Sequence, residues 1–340
     1  MRREARAGAV EFVISSIYAM HTHEGPFPED APRTVIVLGP TAGGKTALAV
    51  ELALRMPGGG ECVGADSMQV YRGMDVGTAK PTAGERRGVP HHMIDVADPH
   101  GGAFTVADWL DGARAAIEGI HARGRHAIVV GGTNLYVKSL LDGMFEGPPP
   151  DPEVRARLEV LPTEVLRGDL EHHDPIAAAR IHPNDRRRTV RALEVWMTTG
   201  RRISELQRQW NDAPRELPAG WALVGLEWPV DLINERINRR VRAMVEAGLE
   251  REVMALIAKG PLNRQAIEAV GYEEVLRHFA HECSMDEAEE LIKVRTRRYA
   301  RQQRTWLRRF KAIQGAIWVD APRVGTAEAA AAVIGTLFGH

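Results

Sequence analysis

Short apolar runs alternate with longer stretches of helical spacing along the first part of the chain. Thr34–Leu38 (TVIVL) and His126–Val130 (HAIVV) are β-branched runs of strand length, apolar at nearly every position, as strands covered on both faces require. Between them ALAVELALRM (Ala47–Met56) carries its apolar residues at helical spacing. The same reading expects strands near 34–38, 61–65, 91–95, 126–130 and 222–228, and one at 316–319. Strands separated by helices predict an α/β fold, a parallel sheet core with helices on both faces. Three consecutive prolines in EGPPPDP (Glu146–Pro152) break any element and mark a boundary. From Pro152 to about Trp210 the pattern is helical, which predicts an inserted helical domain. Helices then run from Val230 to Phe310, with Gly260-Pro261 as a break. The expected division is 1–32 as a flexible extension or misassigned start, 33–146 as core, 147–215 as the insertion, 216–322 as a helical return to the core, and 323–340 as a tail.

Composition narrows the class. The chain has 340 residues, 44% hydrophobic and 26% charged, with no apolar run near the roughly 20 residues a membrane helix needs. Cys62 and Cys283 stand far apart, without a Cys or His at metal-ligand spacing, which predicts a reduced cytoplasmic protein lacking structural zinc. Arg2, Arg3 and Arg6 precede a short apolar stretch, Phe12–Met20, but Glu11 interrupts it and no cleavage site follows, so it does not read as a secretion signal. Net charge is −1, so any nucleic-acid signal must be local.

The chemistry starts at GPTAGGKT, Gly39, Pro40, Thr41, Ala42, Gly43, Gly44, Lys45 and Thr46. Flanked by a strand and a helix, this is a phosphate loop: backbone N–H groups and a helix N-terminus close on a phosphate, Lys45 adds charge, and Thr46 is placed to ligate Mg²⁺. A nucleotide hydrolase normally adds an acid at the end of a second buried strand. Here HAIVV runs into Gly131-Gly132-Thr133-Asn134, with no carboxylate, and no guanine-reading tetrad is present. An acid does follow the strand in ECVGADSMQVY: Asp66, with Ser67, Met68 and Gln69 after it. Beyond the carboxyl end of a strand it should face the phosphate cradle. Asp66 is then either a proton acceptor for a nucleophile or a cap for the next turn. Two classes stay open at this point, a small-molecule kinase and a transferase whose donor leaves a diphosphate.

The stretches GPTAGGKT, DSMQVYRGMDVGTAKP, HHMIDVADP, GGTNLYVKSLLDG, DPEVRARLE, IHPNDRRRTVRALEV, AVGYEEV and TRRYARQQRTWLRR occur in that order. In them the chain resembles the tRNA dimethylallyltransferases, also called tRNA isopentenyltransferases, in their bacterial form, from about Arg33 to Asp320. The resemblance implies transfer of a dimethylallyl group from dimethylallyl diphosphate to N6 of the adenosine immediately 3′ of the anticodon in tRNA, with Mg²⁺ assisting. It implies that Asp66 is the general base and that Thr41 serves the diphosphate, with an arginine assigned first to Arg240 and then to Arg188 and Arg191. It also implies tRNA contacts at Asp66 to Gln69, Thr133, Arg155, Arg187 to Arg191, and Glu268, Ala269, Val270, Gly271 and Tyr272. Two departures are visible: Arg301-Gln302-Gln303 stands where the family often has Lys-Arg-Gln, and the C-terminal zinc finger of eukaryotic relatives is missing.

Charge gathers late. KVRTRRYARQQRTWLRRFK (Lys293–Lys311) holds nine cations and no acid. On a helix Arg297, Arg301, Arg304 and Arg308 would form one basic face for tRNA phosphates, while Ile292, Tyr299, Trp306 and Phe310 would pack on the body. A base must leave its stack to reach a recessed site, and Gln69 has the donor and acceptor to read an adenine edge. The expected partners are therefore the tRNA anticodon stem-loop and dimethylallyl diphosphate, with the protein a monomer off the membrane. A phosphate-loop kinase and a non-catalytic RNA-binding protein are the competing readings. The basic helix opposes the first, and intact Lys45, Thr46 and Asp66 oppose the second.

Overall fold

The computed structural model describes residues 31–144, 147–207 and 216–339. The expected N-terminal extension, up to residue 30, and the end of the inserted helical pattern, residues 208–215, lie outside the described residues. Two compact units divide the chain, one of Met1–Lys138 with Pro214–His340 and one of Ser139–Ala213.

Six strands, β1 (Thr34–Leu38), β2 (Gly60–Gly64), β3 (His91–His92), β4 (His126–Val130), β5 (Trp221–Glu227) and β6 (Ile317–Asp320), form one sheet in the order β3-β2-β4-β1-β5-β6. Every ladder is parallel, with Val35 opposite Ile128 on one side and Ala222 on the other. Parallel strands need crossovers, and these put helices on the faces. The first unit's helices before the division are α1 (Lys45–Arg55), α2 (Ala83–Arg86) and α3 (Val106–Ala122). The division falls within α4 (Asn134–Asp142). The second unit holds α5 (Pro152–Glu159), α6 (Thr163–His173), α7 (Pro175–Arg180), α8 (Arg186–Thr199) and α9 (Ile203–Leu206). The first unit resumes with α10 (Val230–Glu246), α11 (Leu249–Ile257), α12 (Arg264–Ile267), α13 (Tyr272–Phe279), α14 (Met285–Phe310) and α15 (Thr326–Phe338).

On one sheet face Val35, Val37, Cys62, Ile128 and Val224 pack against Leu48, Leu52 and Ala53 of α1 and Ala330 and Val333 of α15. Alternate residues, Ile36, Val63 and Val129, point the other way, where α3 lies against β2 and β4. There Trp109 is fully buried, stacks on Tyr136 at 4.5 Å and donates from Nε1 to the Gly64 carbonyl at 2.7 Å. In the second unit Leu158, Leu166, Leu170, Val190 and Leu193 make a separate core. Asp151 caps α5 with Pro152 in its first turn, so the proline run ends at a helix start.

Two expectations are corrected. The third strand stops at His92 rather than residue 95, because Met93 and Asp95 take left-handed backbone conformations (both φ 59°) that no strand can continue. The segment 323–340 is no tail. It carries α15, whose alanines Ala329 and Ala330 give a small, buried face against α1.

Candidate functional site

The loop after β1 folds as its glycines dictate. Gly44 takes φ 86° at the N-terminus of α1, and a Cβ at Gly43 would meet the Pro40 carbonyl at 2.8 Å. That carbonyl accepts from the Gly43 N–H at 3.1 Å and from Lys45 Nζ at 2.9 Å, so Gly39 and Pro40 shape the loop from behind. Thr41 to Thr46 line a cavity of about 760 Å³ inside the first unit. The first N–H groups of α1 have no partners within their helix and, with its dipole, make this end a seat for an anion. Burial, and then the positive Arg240, pull the Lys45 ammonium down to about 8, while Asp66 opposes them.

Asp66 stands across the cavity at the end of β2. Its Oδ1 accepts from the N–H of Met68 at 2.9 Å and of Gln69 at 3.3 Å, while Oδ2 takes no hydrogen bond from the described residues. One oxygen caps the turn, as the capping reading expects, and the other takes no part in it. Ser67 and Thr133 sit together, the Ser67 N–H donating to Thr133 Oγ1 at 2.9 Å. Gln69 lines the cavity and gives both amide hydrogens away, to the carbonyls of Thr78 at 3.1 Å and Ala79 at 3.3 Å. The side chain expected to offer donor and acceptor thus offers only Oε1.

Arg240 is in the cavity as expected, its Nη2 3.5 Å from the Ala79 carbonyl. Burial lowers its affinity for a proton, and Asp66 and Glu85 counter that. It is not alone: Arg236 and Arg239, one turn and one residue before it on α10, line the same wall. Arg236 donates from Nε to the Ala42 carbonyl at 2.8 Å and lies 4.5 Å over the Trp228 ring, whose Nε1 donates to the Gly43 carbonyl at 3.0 Å. The alternatives Arg188 and Arg191 belong to the other compact unit.

Several expected RNA contacts have other occupations. Arg155 and Arg191 both pair with fully buried Glu194, at 3.0 and 2.7 Å, and Arg191 also donates to the Pro148 carbonyl at 2.6 Å. Arg187 and Arg188 stay exposed. Of Glu268 to Tyr272, Ala269, Gly271 and Tyr272 are buried, leaving Glu268 and Val270 accessible. On α14 the buried residues are Ala288, Ile292, Lys293, Ala300, Gln303, Leu307 and Phe310; Tyr299 and Trp306 are only partly covered, contrary to the expected stripe. Lys293 is buried between Glu289 and Glu290, and Arg295 is paired with Glu273 and Glu274, so the run's lack of internal acids is compensated from outside it. Arg297 donates to Asn238 Oδ1 at 2.5 Å, and Arg304 is half-buried. Arg301 and Arg308 remain exposed.

Sequence reasoning missed four participants. Gln303, 1% exposed, accepts from the Thr41 N–H at 2.8 Å and donates to the Gly132 carbonyl at 2.9 Å, tying the phosphate loop to the end of β4. The Tyr299 hydroxyl donates to the same carbonyl at 3.0 Å. His91 lines the cavity with Nδ1 on the Val89 carbonyl at 2.8 Å and a buried, unpartnered Nε2; burial disfavours its charged form. Arg236 is the fourth. The RINRRV spacing signalled a cationic face without saying which member turns inward.

Comparison with known proteins gives a consistent picture. The family model described as IPP transferase matches residues 69–310. A tRNA dimethylallyltransferase of Geobacter metallireducens is 47% identical over 299 residues, covering 86% of this chain and 94% of that protein. The crystal structure of the full-length tRNA isopentenylpyrophosphate transferase of Bacillus halodurans superposes with TM-score 0.65 at 39% identity, covering 90% of this chain and 96% of that one. A eukaryotic dimethylallyltransferase, solved acting on tRNA, aligns with TM-score 0.72 at 28% identity over 86% of this chain and 74% of its own.

Proposed function

The chain belongs to the IPP transferase family, among the tRNA dimethylallyltransferases, and from that premise we propose how its cavity works. It transfers a dimethylallyl group from dimethylallyl diphosphate to N6 of the adenosine immediately 3′ of the anticodon, position 37 of tRNA, and releases diphosphate. The observation that carries this reading is Asp66: a carboxylate with one oxygen uncommitted, in the same cavity as a phosphate cradle that holds Lys45, Arg236 and Arg240.

The diphosphate lies on the N–H groups of Gly44, Lys45 and Thr46 at the start of α1, flanked by the Lys45, Arg236 and Arg240 side chains, while the Thr41 and Gly43 N–H groups stay with Gln303 and Pro40 and shape the loop. These charges stabilise the negative charge that builds on the diphosphate as the allylic carbon–oxygen bond breaks. Thr46 contributes a hydroxyl that makes no hydrogen bond among the described residues, and no group of three His, Cys, Asp or Glu side chains there could cage a metal. That donor set fits Mg²⁺, which keeps several waters and binds mainly through substrate phosphates. Bound there, Mg²⁺ would supply further charge neutralisation for the leaving group. The base enters opposite, its N6 amine donating to Gln69 Oε1. As the carbon–nitrogen bond forms, the nitrogen becomes cationic and its proton passes to Asp66 Oδ2. No water is activated, which accounts for the Gly131-Gly132 ending of β4. Exposed Arg301, Arg308, Arg187 and Arg188 bind tRNA phosphates. We place the reaction in the cytoplasm, where its tRNA substrate is; among the described residues no helix is long and apolar enough to cross a membrane.

The test is incubation with unmodified tRNA and labelled dimethylallyl diphosphate, beside labelled ATP with nucleosides and small metabolites. Label should enter tRNA only from the allylic donor. Robust tRNA-independent ATP turnover with no prenyl transfer would replace this reading with the kinase.

A further inference from the structure

Asp75 to Lys80 run along the cavity, with Asp75, Val76, Thr78, Ala79 and Lys80 lining it. This segment joins no sheet and no helix, and Ala79 holds φ 46°, a left-handed conformation that costs an alanine energy. Contacts from outside the segment must hold it in place. Glu252, on α11, accepts at Oε2 from the N–H groups of Asp75 (2.9 Å) and Val76 (2.7 Å), and at Oε1 from that of Gly77 (3.1 Å). The same Oε1 accepts from the Tyr272 hydroxyl at 2.6 Å. Tyr272 is fully buried, and its ring comes within 2.5 Å of where a Cβ on residue 77 would stand, so only glycine passes there. At the far end Lys80 donates to the Tyr71 carbonyl and to the carboxylates of Asp75 and Asp95, at 2.8, 2.5 and 2.6 Å.

What the segment presents inward decides a specificity. The Thr78 and Ala79 carbonyls face Gln69, and carbonyls can only accept, so the amide nitrogen of Gln69 must turn to them. Its oxygen is thereby left for the substrate. We propose that Glu252, which does not itself line the cavity, is a positioning residue: with Tyr272 it sets the 75–79 segment so that Gln69 shows the incoming base an acceptor. An acceptor suits a base with an exocyclic amine at that point and repels one with a keto oxygen. The inference rests on the prenyl-transfer reading above.

The experiment compares wild type, Glu252→Gln, Tyr272→Phe, Gln69→Ala and the two double variants with Gln69→Ala. Single-turnover prenyl transfer, KM for tRNA, and the Kd of inorganic diphosphate are measured for each. Glu252→Gln turns an NH₂ toward at least one backbone N–H, which can only donate, and Tyr272→Phe removes one bond. A displacement of about 1 Å in a reacting group costs up to about 100-fold, so Glu252→Gln should slow transfer by about 10- to 100-fold and Tyr272→Phe by less. Diphosphate affinity should hold within about twofold, and in the Gln69→Ala background the further loss should shrink below about threefold, since both changes act through one amide. Additive losses in the double variants, or a fall in diphosphate affinity matching the fall in rate, overturn the proposal. Should Glu252→Gln fail to fold, the Tyr272→Phe cycle decides the same question. Absence of prenyl transfer in the wild-type protein is a separate result, and it overturns the functional reading itself.

Discussion

Replacing Asp66 by Asn separates the turn cap from the proposed proton acceptor. The turn after β2 depends on Oδ1, which accepts from Met68 at 2.9 Å and Gln69 at 3.3 Å. Asn keeps that oxygen and caps about as well, so folding stability should move by less than about 1 kcal/mol. The new NH₂ falls where Oδ2 was, and Oδ2 bonds to nothing in the described protein. What is lost is a proton acceptor, worth about 10²- to 10⁴-fold in rate. That is about 3–5 kcal/mol of transition-state stabilisation. One side effect needs control. Asp66 raises the proton affinity of Lys45, so Asp66→Asn would push the ammonium further below about 8. The assay therefore runs at about pH 6.5, more than one unit under that value, with the diphosphate donor saturating, since its charge favours the protonated Lys45 in both proteins. Single-turnover transfer is followed with both substrates saturating, beside melting temperature, tRNA affinity and diphosphate affinity. A collapse in rate with the other three near wild type supports the base. A rate within about threefold of wild type would leave Asp66 a cap alone.

Because burial and Arg240 lower the Lys45 ammonium to about 8, a diphosphate bound beside it should restore its proton. Calorimetry in buffers of different ionisation enthalpy should then show proton uptake approaching one per diphosphate bound as pH rises past that value, with affinity falling about tenfold per further unit; no uptake would refute it. The sign for folding is opposite: a lysine with a depressed folded value destabilises at neutral pH, and that cost is relieved as pH rises from about 8 to 10.5. In the second unit burial pushes Glu194 up, but Arg191, the Asp151 N–H and Arg155 outweigh it and hold the carboxyl below its ordinary range. Its stabilising contribution is present above that range and lost as pH falls from it toward the lowered folded value, and Arg191→Met, which leaves the buried carboxylate only Arg155 and the Asp151 N–H, should cost about 1–3 kcal/mol in denaturant unfolding. Arg301→Gln with Arg308→Gln should lower the log–log salt slope of tRNA binding by about one unit per phosphate contact and leave diphosphate affinity alone; an unchanged slope would make the exposed side of α14 a solvated face.

Where contacts are local, the chain declares its structure. β1 and β4 are apolar runs of strand length, Gly44 is a left-handed helix start, and Pro152 stands just behind its cap Asp151, each readable within a few residues. The phosphate loop and Asp66 are legible for the same reason, since strand, turn and helix follow one another directly. β3 comes out too long from the sequence because HHMID has strand composition, while the left-handed turns at Met93 and Asp95 are imposed by the fold around them. The nine late cations mislead in a related way. Composition counts charges but does not see Glu273 and Glu274 arriving from α13 to neutralise Arg295.

The residues that escape notice share one property: their meaning lies in a partner far along the chain. Gln303 is separated from Thr41 by 262 residues, Arg236 from Ala42 by 194, and Glu252 from Asp75 by 177. No periodicity reports such pairs, and a lone Gln or Glu on a helix is ordinarily a solvated side chain. Each nonetheless bonds backbone of a glycine-containing loop at the cavity wall, the kind of segment that lacks a ladder to fix it. Loops that line a cavity without a ladder must be held by groups from elsewhere, since ordering each residue costs about 1–2 kcal/mol of backbone entropy. The helices α10, α11 and α14 supply those groups from their inner faces. A cavity of this type is thus written in two parts of the sequence. A compact motif names the chemistry, and scattered single residues on later helices hold the motif in its working shape.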